Sequence, residues 1–273
     1  MSFSPRFAKI WHFSPAPLAI LCLIVLSAAC APLLAPHDPL AANPDALSLA
    51  PGALQEHPLG TDRFGRDVLS RALYGGQHTL LIAAGATATA IALGLALGTL
   101  SGLGARWDMM IAALLNALLA LPGLLLAFVV VTLLGRGEVA LLLATGLTQV
   151  APYARVVRGA LLASEGAGYV QAAEALGASR VRVLLRHRLP NALPALAAYG
   201  AAVFSYCLLN SAALSFLGLG AAPETPDWGL MLAEGRAGFR VMWWASVVPG
   251  ALITLTVWAV NALSEGVGAR NPQ

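Results

Sequence analysis

TLLIAAGATATAIALGLALGTLSGLGA, residues 79–105, contains no Asp, Glu, Lys or Arg. A helix rises about 1.5 Å per residue, and about 20 helical residues cross a hydrocarbon core about 30 Å thick. This run is long enough. Two further stretches, 109–135 and 189–223, are equally free of charge. In lipid every backbone N–H and C=O must be bonded within the protein, and a strand reading would need the polar–apolar alternation of a barrel. These runs lack it, so they read as helices.

Working outward, 58% of the 273 residues are hydrophobic and 11% charged, and the mean hydropathy is +0.75. Ordinary soluble domains carry about 25% charged residues. Six apolar blocks follow, at about 18–35, 79–104, 109–135, 139–162, 192–216 and 243–263. The fold class expected is all-α: a polytopic membrane protein with six transmembrane helices. Pro122, Pro152 and Pro249 are expected to kink their helices or to mark places where neighbours satisfy the freed carbonyls. Gly94, Gly98 and Gly102, spaced four apart, permit close helix packing, either within the chain or across a dimer.

The first block, with Arg6 and Lys9 before it and LSAAC at 26–30, has some features of a secretory signal with a lipoprotein cysteine. Ser27 stands three before Cys30 where a large aliphatic residue belongs, and five further blocks follow, so an uncleaved anchor is expected. With the N-terminus inside, ten basic residues fall on cytoplasmic segments: Arg6, Lys9, Arg106, Arg155, Arg158, Arg180, Arg182, Arg186, Arg188 and Arg270. Six fall outside: Arg63, Arg66, Arg71, Arg136, Arg236 and Arg240. The bias sets both termini in the cytoplasm. The net charge of +3 is then a topology signal and carries no nucleic-acid inference.

Several chemistries are excluded. The chain has one lysine, Lys9, without a glycine-rich loop before it, so it has no GxxxxGK[ST] phosphate loop. His12, His37, His57, His78 and His187 are dispersed, and Cys22, Cys30 and Cys207 read as packing residues, so no metal site or disulfide framework is expected. The blocks are nearly free of the carboxylates and histidines that serve as relays in ion-coupled carriers. A transporter of this composition needs its work supplied by another subunit.

The arginine-rich stretch YVQAAEALGASRVRVLLRHRLP, 169–190, interrupts this apolar chain. Tyr169, Ala172, Ala173 and Leu176 lie at i, i+3, i+4 and i+7, one apolar stripe on a short helix that Gly177 is placed to end. Val181, Leu184 and Leu185 form a second stripe, with Arg180, Arg182, Arg186 and Arg188 free to snorkel toward lipid phosphates. Leu189 and Pro190 open the fifth span. Periodicity alone favours an ordinary amphipathic linker lying on the membrane, because such linkers are common.

Gln171-Ala172-Ala173, Gly177 four residues after Ala173, and Leu189-Pro190 resemble the cytoplasmic Glu-Ala-Ala loop of binding-protein-dependent ABC importer permeases. Gln171 stands where that family often has Glu, and His187 where many members have Ile. Two more stretches are similar to signature segments of the dipeptide, oligopeptide and nickel permeases, specifically the second, shorter permease of each pair. They are HPLGTDRFGRDVLSRALYGGQHTL, 57–80, with Gly60, Thr61, Asp62, Gly65, Arg66, Asp67, Arg71 and Gly75, and ALSFLGLGAAPETPDWGLMLAEGR, 213–236, with Leu214, Ser215, Phe216, Leu217, Gly218, Trp228 and Gly229. Ser211 replaces an acidic residue often found before the second segment. In the first, Thr61 or Asp62 is expected to cap an amphipathic helix with Asp62–Arg66 and Asp67–Arg71 pairs and an apolar face of Phe64, Val68, Leu69 and Leu73, stopped at Gly75 and resting on the outer membrane surface. In the second, Pro223 and Pro226 forbid a continuous helix and Trp228 suits a membrane interface.

The resemblance implies a type I ABC importer permease fold, with residues 1–78 as tail, first span and external loop, and 79–273 as a five-helix core whose coupling loop spans about 163–190. It implies a bacterial inner-membrane permease for di- or oligopeptides, with nickel or a metal chelate as the alternative solute. A homologous permease, two ABC ATPases and an external solute-binding protein are the implied partners. No catalytic residue, metal or cofactor is expected on this chain, ATP and magnesium being used by the ATPases. A stand-alone carrier or channel, and an intramembrane enzyme, are the readings of other classes; the second would need a Ser/His, Asp/Asp or His/Glu constellation that is not present at helical spacing.

Overall fold

The computed structural model describes residues 15–220 and 225–268. Arg6, Lys9, His12, Pro223 and Arg270 lie outside them. The described residues are helical and contain no strand, with one isolated bridge between Thr61 and Asp67.

Most of the charge-free run 79–105 lies in α3, Val68–Ser101, 34 residues, which at about 1.5 Å per residue is about 50 Å long. It is the spine of the fold, and its most extensive neighbour is α6, Glu138–Ala163. Glycine makes this contact close: a Cβ on Gly94 would lie 3.0 Å from Tyr153, and one on Gly98 2.5 Å from Val157 Cβ and 2.8 Å from the Ala154 carbonyl. Gly146 returns the favour from α6, where a Cβ would lie 2.8 Å from the Ala86 carbonyl. The four-residue glycine spacing thus serves packing within the chain.

Ahead of α3 come α1, Pro15–Ala29, and the short α2, Ala31–Leu34. After it, α4, Ala105–Leu119, and α5, Gly123–Leu134, meet at an angle of 87°. Pro122 caps α5 and cannot donate to the carbonyl that a continuous helix would offer, so the expected third span is a broken one. Pro152 and Pro249, by contrast, sit inside continuous helices. Beyond α6 lie α7, Gly168–Ala175, and α8, Arg180–Val183, which runs through a π turn, Leu184–Arg188, into α9, Leu189–Phe216. The helices α10, Trp228–Arg236, and α11, Trp244–Gly268, complete the chain.

Six transmembrane helices were expected. Among the described residues four helices are long and apolar enough to cross a membrane, five with the bent α4–α5 pair, and α1 is a shorter apolar helix of 15 residues. The outward faces keep large apolar side chains exposed, Leu23, Leu81, Leu133 and Val139 among them. Such a surface suits lipid or another membrane subunit and is rare on a monomer in water.

Two larger core clusters lie along α3. One gathers Ile24, Val68, Leu208, Trp228, Met231 and Trp244, joining α1, α3, α9, α10 and α11. The other gathers Tyr153, Val157, Leu161, Leu184, Leu196 and Cys207 between α3, α6 and α9. Smaller clusters seat α5, through Ala127 and Val131, and α4, through Ile111 and Leu115, against α6.

Candidate functional site

The two ends of α3 carry different polar constructions. At the Val68 end the signature segments come together as a cap. Residues 61–67 form a tight loop in which Asp62 N–H donates to the Arg66 carbonyl and Gly65 N–H to the Asp62 carbonyl. Gly60 and Gly65 hold φ of +75° and +74°, and a Cβ on Gly65 would overlap the Asn43 carbonyl, so only glycine fits. Thr61 is fully buried: its hydroxyl donates to the Ala46 carbonyl and accepts from Leu49 N–H, while its own carbonyl accepts from the Trp244 indole.

The charged residues of this loop form a network that reaches the second segment. Asp62 accepts from Arg66 Nε at 2.7 Å and from Arg71 Nη1, while Glu234 on α10 accepts from Arg66 Nη2 at 2.7 Å and forms an ion pair with Arg71 Nη1 at 2.8 Å. Arg71 is 2% exposed. Two guanidinium groups and two carboxylates neutralise one another in a largely dry site, which keeps each buried charge tolerable. The Asp62–Arg66 pair was expected; Asp67 does not pair with Arg71. Asp67 caps α3 instead, accepting from Ser70 N–H and Oγ at 2.7 Å, with its other oxygen 3.0 Å from His57 Nδ1.

Three expectations for this region are corrected. No separate amphipathic helix starts at Thr61 or Asp62; helix begins at Val68, as the first turns of α3. Phe64 therefore lies in the loop, where the Arg63 and Arg66 guanidinium groups sit over its ring. Gly75 does not stop a helix: α3 runs through it and across residue 78, because Gly75 and Gly76 together make room for the Trp228 ring, 3.2 Å and 3.0 Å from where their Cβ atoms would be. Trp228 is no interfacial anchor. It is fully buried, its indole donates to the Ala72 carbonyl and its N–H to Thr79 Oγ1, whose hydroxyl in turn donates to Asp227, the cap of α10. Gly229 packs against the Ala212 carbonyl, and Leu214 and Ser215 are buried at the end of α9. Phe216 lies under Arg236, while Leu217 and Gly218 are exposed, the latter turning at φ +77°.

At the Ser101 end the arginine-rich stretch forms an arm. As expected, α7 ends at a glycine: Gly177 has φ +81°, its N–H donates to the Glu174 carbonyl and Ala178 N–H to the Ala173 carbonyl, the paired closure of a Schellman turn. Val170 turns inward and is buried. Tyr169, Gln171 and Ala172 are exposed, Ala173 is half-buried, and Leu176 is 89% exposed. Leu189 is half-buried and Pro190 exposed in the first turn of α9.

Arg188 was expected to reach for lipid with its neighbours, and it does the opposite. Arg180, Arg182 and Arg186 are exposed, but Arg188 is buried, Nη2 donating to the Leu161 carbonyl at 2.5 Å and Nε to Ser164 Oγ at 3.2 Å. It places a cation on the last carbonyls of α6, where the helix dipole favours one. The arm is thereby clamped to the spine-bearing core: α6 packs on α3, and Leu184 packs at Gly102. Sequence reading missed both Arg188 as clamp and Glu234 as the fourth member of the cap network; the signal for each was a charge within an otherwise apolar helix face.

Comparison with known proteins identifies the family and the fold. The family described as binding-protein-dependent transport system inner membrane component matches residues 90–270. The di/tripeptide transport system permease protein DppC of Pseudomonas aeruginosa (strain UCBPP-PA14) is 37% identical over 255 residues, 92% of this chain and 84% of that protein. The probable D,D-dipeptide transport system permease protein DdpC of Escherichia coli (strain K12) is 36% identical over 264 residues, 94% of this chain and 88% of that one. The glutathione transport system permease protein GsiD of Escherichia coli O6:K15:H31 (strain 536 / UPEC) is 37% identical over 271 residues, 97% and 87% of the two chains. Among solved structures, a chain of the MetNI methionine ABC transporter in an inward-facing conformation shares the fold, with a TM-score of 0.58 at 22% identity over 72% of this chain and 96% of that one. An amino acid ABC transporter has a TM-score of 0.57 at 16% identity, covering 71% and 90%. With the motifs, the helical architecture and the relatives in agreement, the chain belongs to the family of binding-protein-dependent transport system inner membrane components, the permeases of ABC importers.

Proposed function

We propose that this permease forms half of the translocation path of an ATP-driven importer of di- or oligopeptides, paired with a homologous permease, energised by two ATPase subunits that bind ATP and magnesium, and loaded by an external solute-binding protein. The peptide solute is supported by the names of the relatives, which transport dipeptides, tripeptides and glutathione; none of these three is a nickel permease. Both termini and α7 face the cytoplasm, and the Asp62–Arg71–Glu234 cap faces outside. The basic residues favour that orientation.

The observation that carries the coupling role is the open face of α7. Tyr169, Ala172 and Leu176 are exposed on a helix that is too short to span, while Arg188 fixes its root to α6. An ATPase closing on this face moves the arm, and the arm moves α6 and α9. Such a machine works only if the ATPase holds the face differently in its two states. The test is Ala173→Asp, which sets an unpaired carboxylate at the edge of the docking face. Expected is normal membrane insertion with ATP-dependent peptide uptake lost in proteoliposomes; uptake at the unmodified rate would overturn the assignment.

A further inference from the structure

We propose that His37, His57 and Asp67 form a binding site for a divalent transition-metal ion of the zinc class at the capped end of the bundle. The histidines are dispersed in sequence, yet the fold brings two of them to one carboxylate, and one donor atom from each of the three residues lies within 4.8 Å of the others. His57 and Asp67 are buried, with Nδ1 and Oδ1 3.0 Å apart. The His37 ring stacks on His57 at 4.5 Å, and among the described residues its buried Nδ1 has no hydrogen-bond partner. A buried imidazole nitrogen with nothing to bond, on a ring stacked against a second histidine that itself contacts a carboxylate, is what a ligand set awaiting a cation presents.

Two imidazoles and a carboxylate are a donor set suited to zinc and its neighbours, and three protein ligands leave a fourth position for water. Bonds of about 2.0–2.2 Å put tetrahedral donors about 3.4 Å apart, so the atoms need only a modest closure. His37 can supply it, being half-buried on the loop after α2. The other parts are already fixed. Asp67 Oδ2 accepts from Ser70 N–H and Oγ, and Ser70 Oγ accepts from His37 N–H at 3.1 Å, so the outer hydrogen bonds orient both the carboxylate and the loop. An ion here staples three segments separated in sequence: the loop after α2, the loop before residue 60 and the start of α3.

The experiment uses the assembled transporter purified without a histidine tag, stripped with chelator, then dialysed against micromolar zinc. Metal is counted by plasma mass spectrometry, and the zinc X-ray absorption edge reports the ligands. Expected is one zinc per copy of this chain with imidazole ligation, and affinity weakened about 10–100-fold in His37→Gln. His57→Asn is the second variant, but His57 is buried in the cap and this change can unfold it; His37→Gln, on a half-buried loop, is decisive, with elution as an intact complex as its control. Failure of the unmodified transporter to retain zinc, or equal retention by His37→Gln, overturns the site.

Discussion

Arg188→Met separates the arm from the core while keeping its helices. Methionine retains the apolar stem of the arginine but loses the head, which donates to the Leu161 carbonyl and to Ser164 Oγ. A hydrogen bond involving a charged group contributes about 1.5–3 kcal/mol, but both acceptors keep other partners: Leu161 still accepts from Ser164 Oγ and Ser164 N–H. Neither is orphaned, so the loss is set at about 2–4 kcal/mol. The Glu165 contact at 3.9 Å, on a largely exposed carboxylate, adds little. A change of about 3 kcal/mol shifts a local opening equilibrium by about two powers of ten. Hydrogen exchange of the purified complex reads it directly: amides near 180–192 should exchange about 100-fold faster, while those of α3 are unchanged. Peptide uptake should fall more than ATP hydrolysis, because the ATPases then close on an arm that yields. Unchanged exchange at 180–192, or equal loss of hydrolysis and uptake, refutes the clamp.

Two further outcomes follow from the packing. Gly98→Val should cost about 1–3 kcal/mol or more by overpacking, because even a Cβ would lie 2.5 Å from Val157 Cβ; a lower melting temperature in detergent checks it, and Val157→Ala should recover part of the loss while the Ala154 carbonyl limits full rescue. Arg71→Met should destabilise the cap by about 3–5 kcal/mol, since it leaves Asp62 and Glu234 sharing the single Arg66 guanidinium, with one uncompensated negative charge in a buried network, seen as protease cleavage of the 57–67 loop; adding Glu234→Met should restore protection by leaving the Asp62–Arg66 pair balanced.

Absence of charge over a span's length made α3, α9 and α11 legible as membrane helices, whereas the equally charge-free 109–135 is broken at Pro122. The sequence also showed the short α7 and its glycine stop, because local conformation decides both. What it hid depends on contacts between distant residues. Gly75 ends a helix by local preference, yet α3 continues because Trp228, more than 150 positions away, fills the space the glycine leaves. Trp228 and Arg188 carry side chains common at membrane surfaces, and their burial follows from acceptors on other helices, the Ala72 and Leu161 carbonyls. Pro122 announced a disturbance, but the 87° turn it permits is set by how α4 and α5 pack on α6. Glu234 lay within a quoted motif, and only its position beside Arg66 and Arg71 shows why a carboxylate is there.

Site-directed crosslinking in transporting cells tests the coupling role of α7 most directly. In a background with Cys22, Cys30 and Cys207 replaced, single cysteines at Tyr169, Ala172 and Leu176 should each crosslink to an ATPase subunit, with yields that change with nucleotide. Cysteines at Leu124 and Leu133 on α5 should not. Active transport without any crosslink from the α7 positions would show that no ATPase grips this helix.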